Sequence, residues 1–237
     1  HRLPAHVKLV ALLGFVVVVV APPREAFWAF GVYAALLAAV AVLARVPAPF
    51  ILRRMVVEIP FVVFALLLPF LAAGERIDVL GLSLSEEGML AGWNILAKGT
   101  LGVVASILLA ATTDARSLLL ALQRLRVPPV LVEITSFMVR YADVIADEMR
   151  RMKIARESRG FTGRGRKQAA VVATSAGALF IRSYERGERV HLAMLSRGYG
   201  GSLPVLDPQP THGGQWVAAA ALPLSALVVA CTAWITL

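Results

Sequence analysis

The chain has 237 residues, 58% of them hydrophobic and 16% charged, with a mean hydropathy of +0.73. That composition lies outside the soluble globular range and marks an integral membrane protein. The net charge of +9 sits mostly in one central block, which membrane topogenesis explains better than nucleic-acid binding, while the single Cys231 and the scattered His1, His6, His191 and His212 exclude a disulfide framework or a metal-ligand spacing.

The numbering opens at His1, so an initiator methionine and a few further residues are expected before it. Residues 7–21 are apolar apart from Lys8 and form the first predicted span; Pro22-Pro23 stands where cleavage of a signal peptide would be needed, which argues against one. The second span covers 25–44, with Phe27, Trp28, Phe30 and Tyr33 gathered near one end as an interfacial aromatic group. Arg45, Arg53 and Arg54 mark a short basic turn. A third span covers 55–73, with Glu58 near its start and Pro60 inside it; an acidic loop over 74–88 carries Glu75, Asp78, Glu86 and Glu87 against Arg76, and a fourth span covers 89–112.

From 114 to 213 the apolar residues alternate with charge at helical spacing. A short helix is predicted over 114–126, ended by Val127-Pro128-Pro129, then a long one over 130–159 whose Ile134, Phe137, Met138, Tyr141, Ile145, Met149 and Met152 form a buried seam. A second long helix covers 166–197, with Gly187 as a possible kink. Stretches 130–145 and 169–181 are apolar enough to dip into the membrane, and the sequence leaves that open. Residues 215–237 form the last span. The fold class is therefore all-α, a polytopic membrane protein of about five spans, organised as membrane helices over 1–112, a cytoplasmic region over 113–213 and a final membrane helix over 214–237. Lysine and arginine set the orientation: with the N-terminus inside, the turn 45–54 and the basic run Arg150, Arg151, Lys153, Arg156, Arg159, Arg164, Arg166 and Lys167 are cytoplasmic, and the acidic loop and C-terminus are outside.

One tripeptide occurs twice, Ser158-Arg159-Gly160 and Ser196-Arg197-Gly198, each time closing a long helix. A glycine just past a helix takes the left-handed conformation cheaply and an arginine in the last turn complements the dipole, so either copy alone reads as a cap. The pair offers two equivalent charged tips to a partner. Gly160 to Lys167 has the glycine spacing of a phosphate-binding loop, but it follows a basic helix and not a strand, and Arg166 and Lys167 stand where the lysine and the hydroxyl are required; it reads as a flexible turn, with no ATP site. Lys98, within the fourth span beside Gly99 and near Asn94, and Glu58 are the candidate intramembrane polar site. Their apparent depths argue against a direct pair, and a structural role for Lys98, snorkelling or bonding a carbonyl, outweighs substrate contact. Asp143, Asp147 and Glu148 read as helix-face ion pairs with Arg140, Arg150 and Arg151. No nucleophile with a base, zinc signature or nucleotide signature appears, so neither an enzyme nor a bound cofactor is expected.

The stretch 182–199, the earlier Ala155-Arg156-Glu157-Ser158-Arg159-Gly160, the N-terminal Leu3-Pro4-Ala5-His6-Val7-Lys8-Leu9 and the segment from Lys98-Gly99 to Ala111-Thr112-Thr113 together resemble the cobalt-type branch of the energy-coupling factor transmembrane T components, often called CbiQ. In that family the two signatures are usually Ala-Arg-Gly or similar, and serine replaces alanine in both here. The resemblance implies an L-shaped helical scaffold in a bacterial or archaeal plasma membrane, with coupling helices resting on two ATP-binding cassette ATPase subunits through Ser158, Arg159, Gly160, Ser196, Arg197 and Gly198. It also implies a separate substrate-binding membrane subunit, CbiM-like for cobalt, leaves room for a small CbiN-like subunit, and assigns metal chemistry and ATP hydrolysis to those partners. Nickel or a vitamin such as biotin is the alternative substrate. A self-contained membrane carrier is the alternative class.

Overall fold

The computed structural model describes residues 3–72, 76–79, 82–161, 163, 165–201 and 212–236, without the side chains of 76–79, 82–84, 166 and 167. The chain divides into two units: His1–Ala121 with Gln209–Leu237, and Leu122–Pro208.

The first unit is a bundle of apolar helices, α1 (Ala5–Val20), α2 (Phe27–Leu43), α3 (Ala48–Arg54), α4 (Ile59–Leu71), α5 (Glu86–Thr112) and α9 (Gly213–Thr236). Ala48–Leu71, Glu86–Thr112 and Gly213–Thr236 are each long and apolar enough to cross a membrane; α1 and α2 are shorter apolar helices. The chain is a polytopic membrane protein. Outward faces remain apolar, as lipid requires: Phe61, Phe64, Leu66, Phe70 and Leu71 on α4 and Val217, Val228 and Ile235 on α9 are all exposed. In the core, Phe15 and Val19 of α1, Tyr33 and Leu37 of α2, Leu101, Ala105 and Leu108 of α5, and Ala226 and Ala233 of α9 form one cluster. Alanines at three- and four-residue spacing on α9 let its backbone approach closely, the means by which helices associate where no hydrophobic drive exists between them. The buried Tyr33 hydroxyl donates to the Ala226 carbonyl, so no polar group is stranded there.

Gly88 and Gly92 fix the α4–α5 packing. A Cβ on Gly88 would lie 2.7 Å from the Leu68 carbonyl oxygen, and one on Gly92 2.7 Å from that of Ala65. Four-residue glycine spacing thus carves the groove into which α4 settles.

Two local features differ from the sequence expectation. The third span starts at Ala48, because α3 passes through a 3-10 turn (Met55–Glu58) into α4 without leaving the helical path. Arg53 and Arg54 lie inside this helical run, not in a turn before it; the tighter turn accommodates Pro60, which has no N–H to offer. Within the expected loop 74–88, β1 (Arg76–Val79) pairs antiparallel with β2 (Leu82–Ser85), Arg76 opposite Ser85. Ser85 then caps α5, its hydroxyl accepting from the Gly88 N–H at 3.2 Å. Gly74 and Glu75 lie outside the described residues.

α6 (Ala115–Arg124) follows α5, its first turn capped by Asp114, which accepts from the Ser117 N–H at 3.2 Å. The second unit is dominated by α7 (Pro129–Ser158) and α8 (Arg166–Leu195), 30 residues each. α8 runs unbroken through Gly187.

Candidate functional site

The two Ser-Arg-Gly copies close their helices with the same set of hydrogen bonds. At the end of α7, Gly160 has φ +76°; its N–H donates to the Glu157 carbonyl at 3.0 Å and the Phe161 N–H to the Arg156 carbonyl at 3.2 Å. At the end of α8, Gly198 has φ +84°; its N–H donates to Leu195 and the Tyr199 N–H to Met194, both at 3.0 Å. Each is a Schellman closure with arginine in the turn just past the helix, glycine in the left-handed seat and an aromatic residue next. The serines match too: Ser158 Oγ donates to the Ala155 carbonyl at 3.1 Å and Ser196 Oγ to Ala193 at 3.0 Å. With the last turn closed on itself, each arginine side chain is left over. Arg159 and Arg197 are exposed, and neither guanidinium has an ion-pair or hydrogen-bond partner among the described residues.

Three cross-links set the register of α7 against α8. Arg156 Nη1 donates to Ser175 Oγ at 3.0 Å, Arg182 Nη1 to Glu148 Oε1 at 2.6 Å, and the Tyr199 hydroxyl to Glu133 Oε2. Residue numbers fall on one helix as they rise on the other, so the pair is an antiparallel hairpin. The first motif therefore lies at its turn end and the second at the opposite end. The helix between Glu133 and Arg159 puts the two tips about 40 Å apart. Tyr199, the residue after the second motif, is itself one of the ties. Its hydrogen bond to Glu133 holds the phenol's pKa above its ordinary value. Phe161, its counterpart, folds back over its own loop instead; a Cβ on Gly163 would lie 2.5 Å from the ring. Arg164 and the side chains of Arg166 and Lys167 lie outside the described residues.

The apolar seam expected to be buried on α7 is open. Ile134 is 52% exposed, Met138 66% and Ile145 41%. Most of the stripe does face α8, but the two helices diverge over it and leave a groove of about 580 Å³, lined by Ile134, Phe137, Tyr141 and Ile145 of α7 and by Leu179 and Met194 of α8 among others. The ion pairs expected along α7 include Arg150–Asp147 at 3.2 Å and Arg151–Glu148 at 3.4 Å, but Glu148 makes its shorter contact across the hairpin, to Arg182.

Lys98 and Glu58 are not separated by depth. Glu58, 3% exposed, accepts from the Thr100 hydroxyl, and a Cβ on Gly99 would lie 3.8 Å from its Oε1, so it stands level with Lys98. Direction separates them: residues two apart on a helix point about 200° apart. Lys98 Nζ turns to the carbonyls of Val20 at 2.8 Å and Pro22 at 3.2 Å, where it caps the C-terminus of α1 and complements its dipole. The aromatic pair Phe27–Trp93 and Trp234, whose Nε1 donates to the Ala21 carbonyl, surround that same end.

A family model for CbiQ, a cobalt transport protein, matches residues 1–206. The chain is 31% identical to an uncharacterised protein of Methanocaldococcus jannaschii over 56% of this chain and 50% of that one. It is 27% identical to the cobalt transport protein CbiQ of Rhodobacter capsulatus over 60% of this chain and 61% of that one. A putative fused cobalt transport protein CbiMQ of Methanocorpusculum labreanum is 29% identical over 57% of this chain and 21% of its own length. The chain thus spans from about a fifth to three fifths of the relatives it matches.

Proposed function

The chain belongs to the CbiQ cobalt transport protein family, and on that premise we propose that it is the membrane coupling subunit of an ATP-driven cobalt importer of the energy-coupling factor type. The observation that carries this reading is the matched pair of exposed arginine tips at the two ends of one hairpin, neither guanidinium having an ion-pair or hydrogen-bond partner among the described residues. Each tip is held rigid by its own Schellman closure, and the spacing between them suits one ATPase subunit per tip. A planar guanidinium can bond a carboxylate in an acidic groove through two parallel hydrogen bonds, which an ammonium cannot. With the N-terminus cytoplasmic, α7 and α8 lie on the ATPase side. Closure of the ATPase pair on ATP then shifts both tips together, and the tied hairpin passes the motion on as a rigid body.

The open apolar groove between α7 and α8 is the surface that this reading gives to the substrate-binding membrane subunit. The fused CbiMQ relative supports a CbiM-like partner, since one chain there carries both names. Cobalt is cargo held by that partner.

Co-purification of the ATPase subunits with Arg159→Ala, Arg197→Ala and the double variant, alongside uptake, tests the proposal. Truncating one side of a desolvated charge pair costs about 2–5 kcal/mol, roughly 30- to several-thousand-fold in affinity, and Arg→Lys should fail nearly as badly. Wild-type assembly and uptake in the double alanine variant would leave the arginines as caps alone.

A further inference from the structure

We propose that the membrane unit carries a built site for an anionic phospholipid, with the headgroup phosphate on Arg53 and Arg54 and an acyl chain lying along α5 over Gly102. The site is a lateral crevice of about 800 Å³ bounded by α1, by the junction of α3 with the 3-10 turn, and by α5. Its walls are hydrocarbon: Leu13, Val56 and Val57 are all more than half exposed toward it. On the α5 side the floor is open at Gly102, where an added Cβ would meet nothing within 4 Å.

The polar groups that line the crevice are mostly spoken for. Ser106 Oγ donates to the Gly102 carbonyl at 2.9 Å, and Lys98 is engaged by the carbonyls of Val20 and Pro22. The buried Glu58 nearby accepts from Thr100. What remains is the Arg53–Arg54 pair, exposed and without an acidic partner among the described residues. Arg54 is also oriented, its guanidinium resting 4.3 Å from the centroid of the Phe50 ring.

Charge and depth select the occupant. Arg53 and Arg54 end α3 within the first turns of the span Ala48–Leu71, from where their long side chains reach back to the headgroup layer and meet a bound anion at its edge. An apolar partner helix would fill the walls but leave two guanidinium groups unpaired in a low-dielectric setting, an expensive arrangement. A phosphate matches the arginine fork, and its own acyl chain supplies the apolar part. Basic side chains that reach the headgroup layer attract anionic lipid in this way.

The test is native mass spectrometry of the full chain assembled with its partner subunits, released from mild detergent with added phosphatidylglycerol or phosphatidylcholine of identical chains. Phosphatidylglycerol should be retained preferentially. Arg53→Gln and Arg54→Gln should each weaken its retention about five-fold, the weight of one basic residue against an anionic surface. Arg53→Lys should keep most of the retention, Gly102→Trp should abolish it by filling the floor, and Gly102→Ala should leave it intact, which together separate occupancy from misfolding. Equal retention of the two lipids, or wild-type retention in the double Gln variant, would overturn the site. So would retention by the isolated chain that vanishes on assembly, since a partner helix would then be the occupant.

Discussion

Replacing Gly160 and Gly198 by alanine measures whether the two tips are as equivalent as their geometry says. Both glycines hold a left-handed φ, +76° and +84°, and a Cβ at either would meet nothing within 4 Å. Sterics against neighbours therefore drop out, and the backbone conformation alone sets the cost. A left-handed non-glycine residue costs about 1–2 kcal/mol, and the narrower unfolded ensemble of alanine gives back about 0.4–1 kcal/mol. The net loss is about 1 kcal/mol, about a five-fold shift in local opening, and nearly the same at each end. Hydrogen exchange reads it directly: the amides of Phe161 and Tyr199, which close the two caps onto Arg156 and Met194, should exchange about five-fold faster in the matching alanine variant. Asparagine, which tolerates the left-handed region, should recover much of the protection. Unchanged exchange in both variants would refute the cap assignment, and a response at one end only would refute the equivalence.

Asp114→Ala removes the cap of α6 and should cost about 1 kcal/mol of local stability, read by exchange at Ser117. The hydrogen bonds from the Ser117 side chain and backbone hold the Asp114 carboxyl below the usual carboxylate value; its stabilising contribution is therefore full above the unfolded value, about 3.9, and is lost as pH falls through the lower folded value. Tyr199 has the opposite sign: bonded to Glu133, it keeps its proton above the ordinary tyrosine range, so the tie is complete below about pH 10 and fails as pH rises through the raised value. The difference between wild-type and Tyr199→Phe ultraviolet titrations should show one tyrosine ionising late, and Glu133→Gln should bring it back toward normal. Lys98→Met leaves the end of α1 uncapped, and a lower unfolding temperature corresponding to about 1–2 kcal/mol is expected; unchanged stability would show that the two carbonyl contacts carry nothing.

The membrane class and the paired signatures were readable because each rests on local chemistry: hydropathy for the spans, and glycine's freedom at positive φ for the two helix ends. Where reading went astray, the cause was non-local. Arg53 and Arg54 interrupt the hydropathy and look like a turn, yet backbone hydrogen bonding is indifferent to their charge, and the helix passes through them to the 3-10 turn. That shift moved Glu58 from near the start of a span to well inside Ala48–Leu71 and hid its bond to Thr100. The seam on α7 has the period of a core, but the one helix that faces it, α8, leaves a groove over it and does not close on it. Tyr199 and Glu133 are 66 positions apart, and nothing in the sequence pairs them until the hairpin register is known. The close packing of α4 on α5 did leave a signal, the four-residue spacing of Gly88 and Gly92.

The most direct measurement is site-specific photocrosslinking from Ser158 and Ser196 in the assembled transporter, one residue before each arginine. Each position should capture an ATPase subunit, and a chain labelled at both should yield a species with two ATPase subunits attached, because tips about 40 Å apart meet different partners. Capture of a membrane subunit from both positions, or of no subunit at either, would contradict the coupling role.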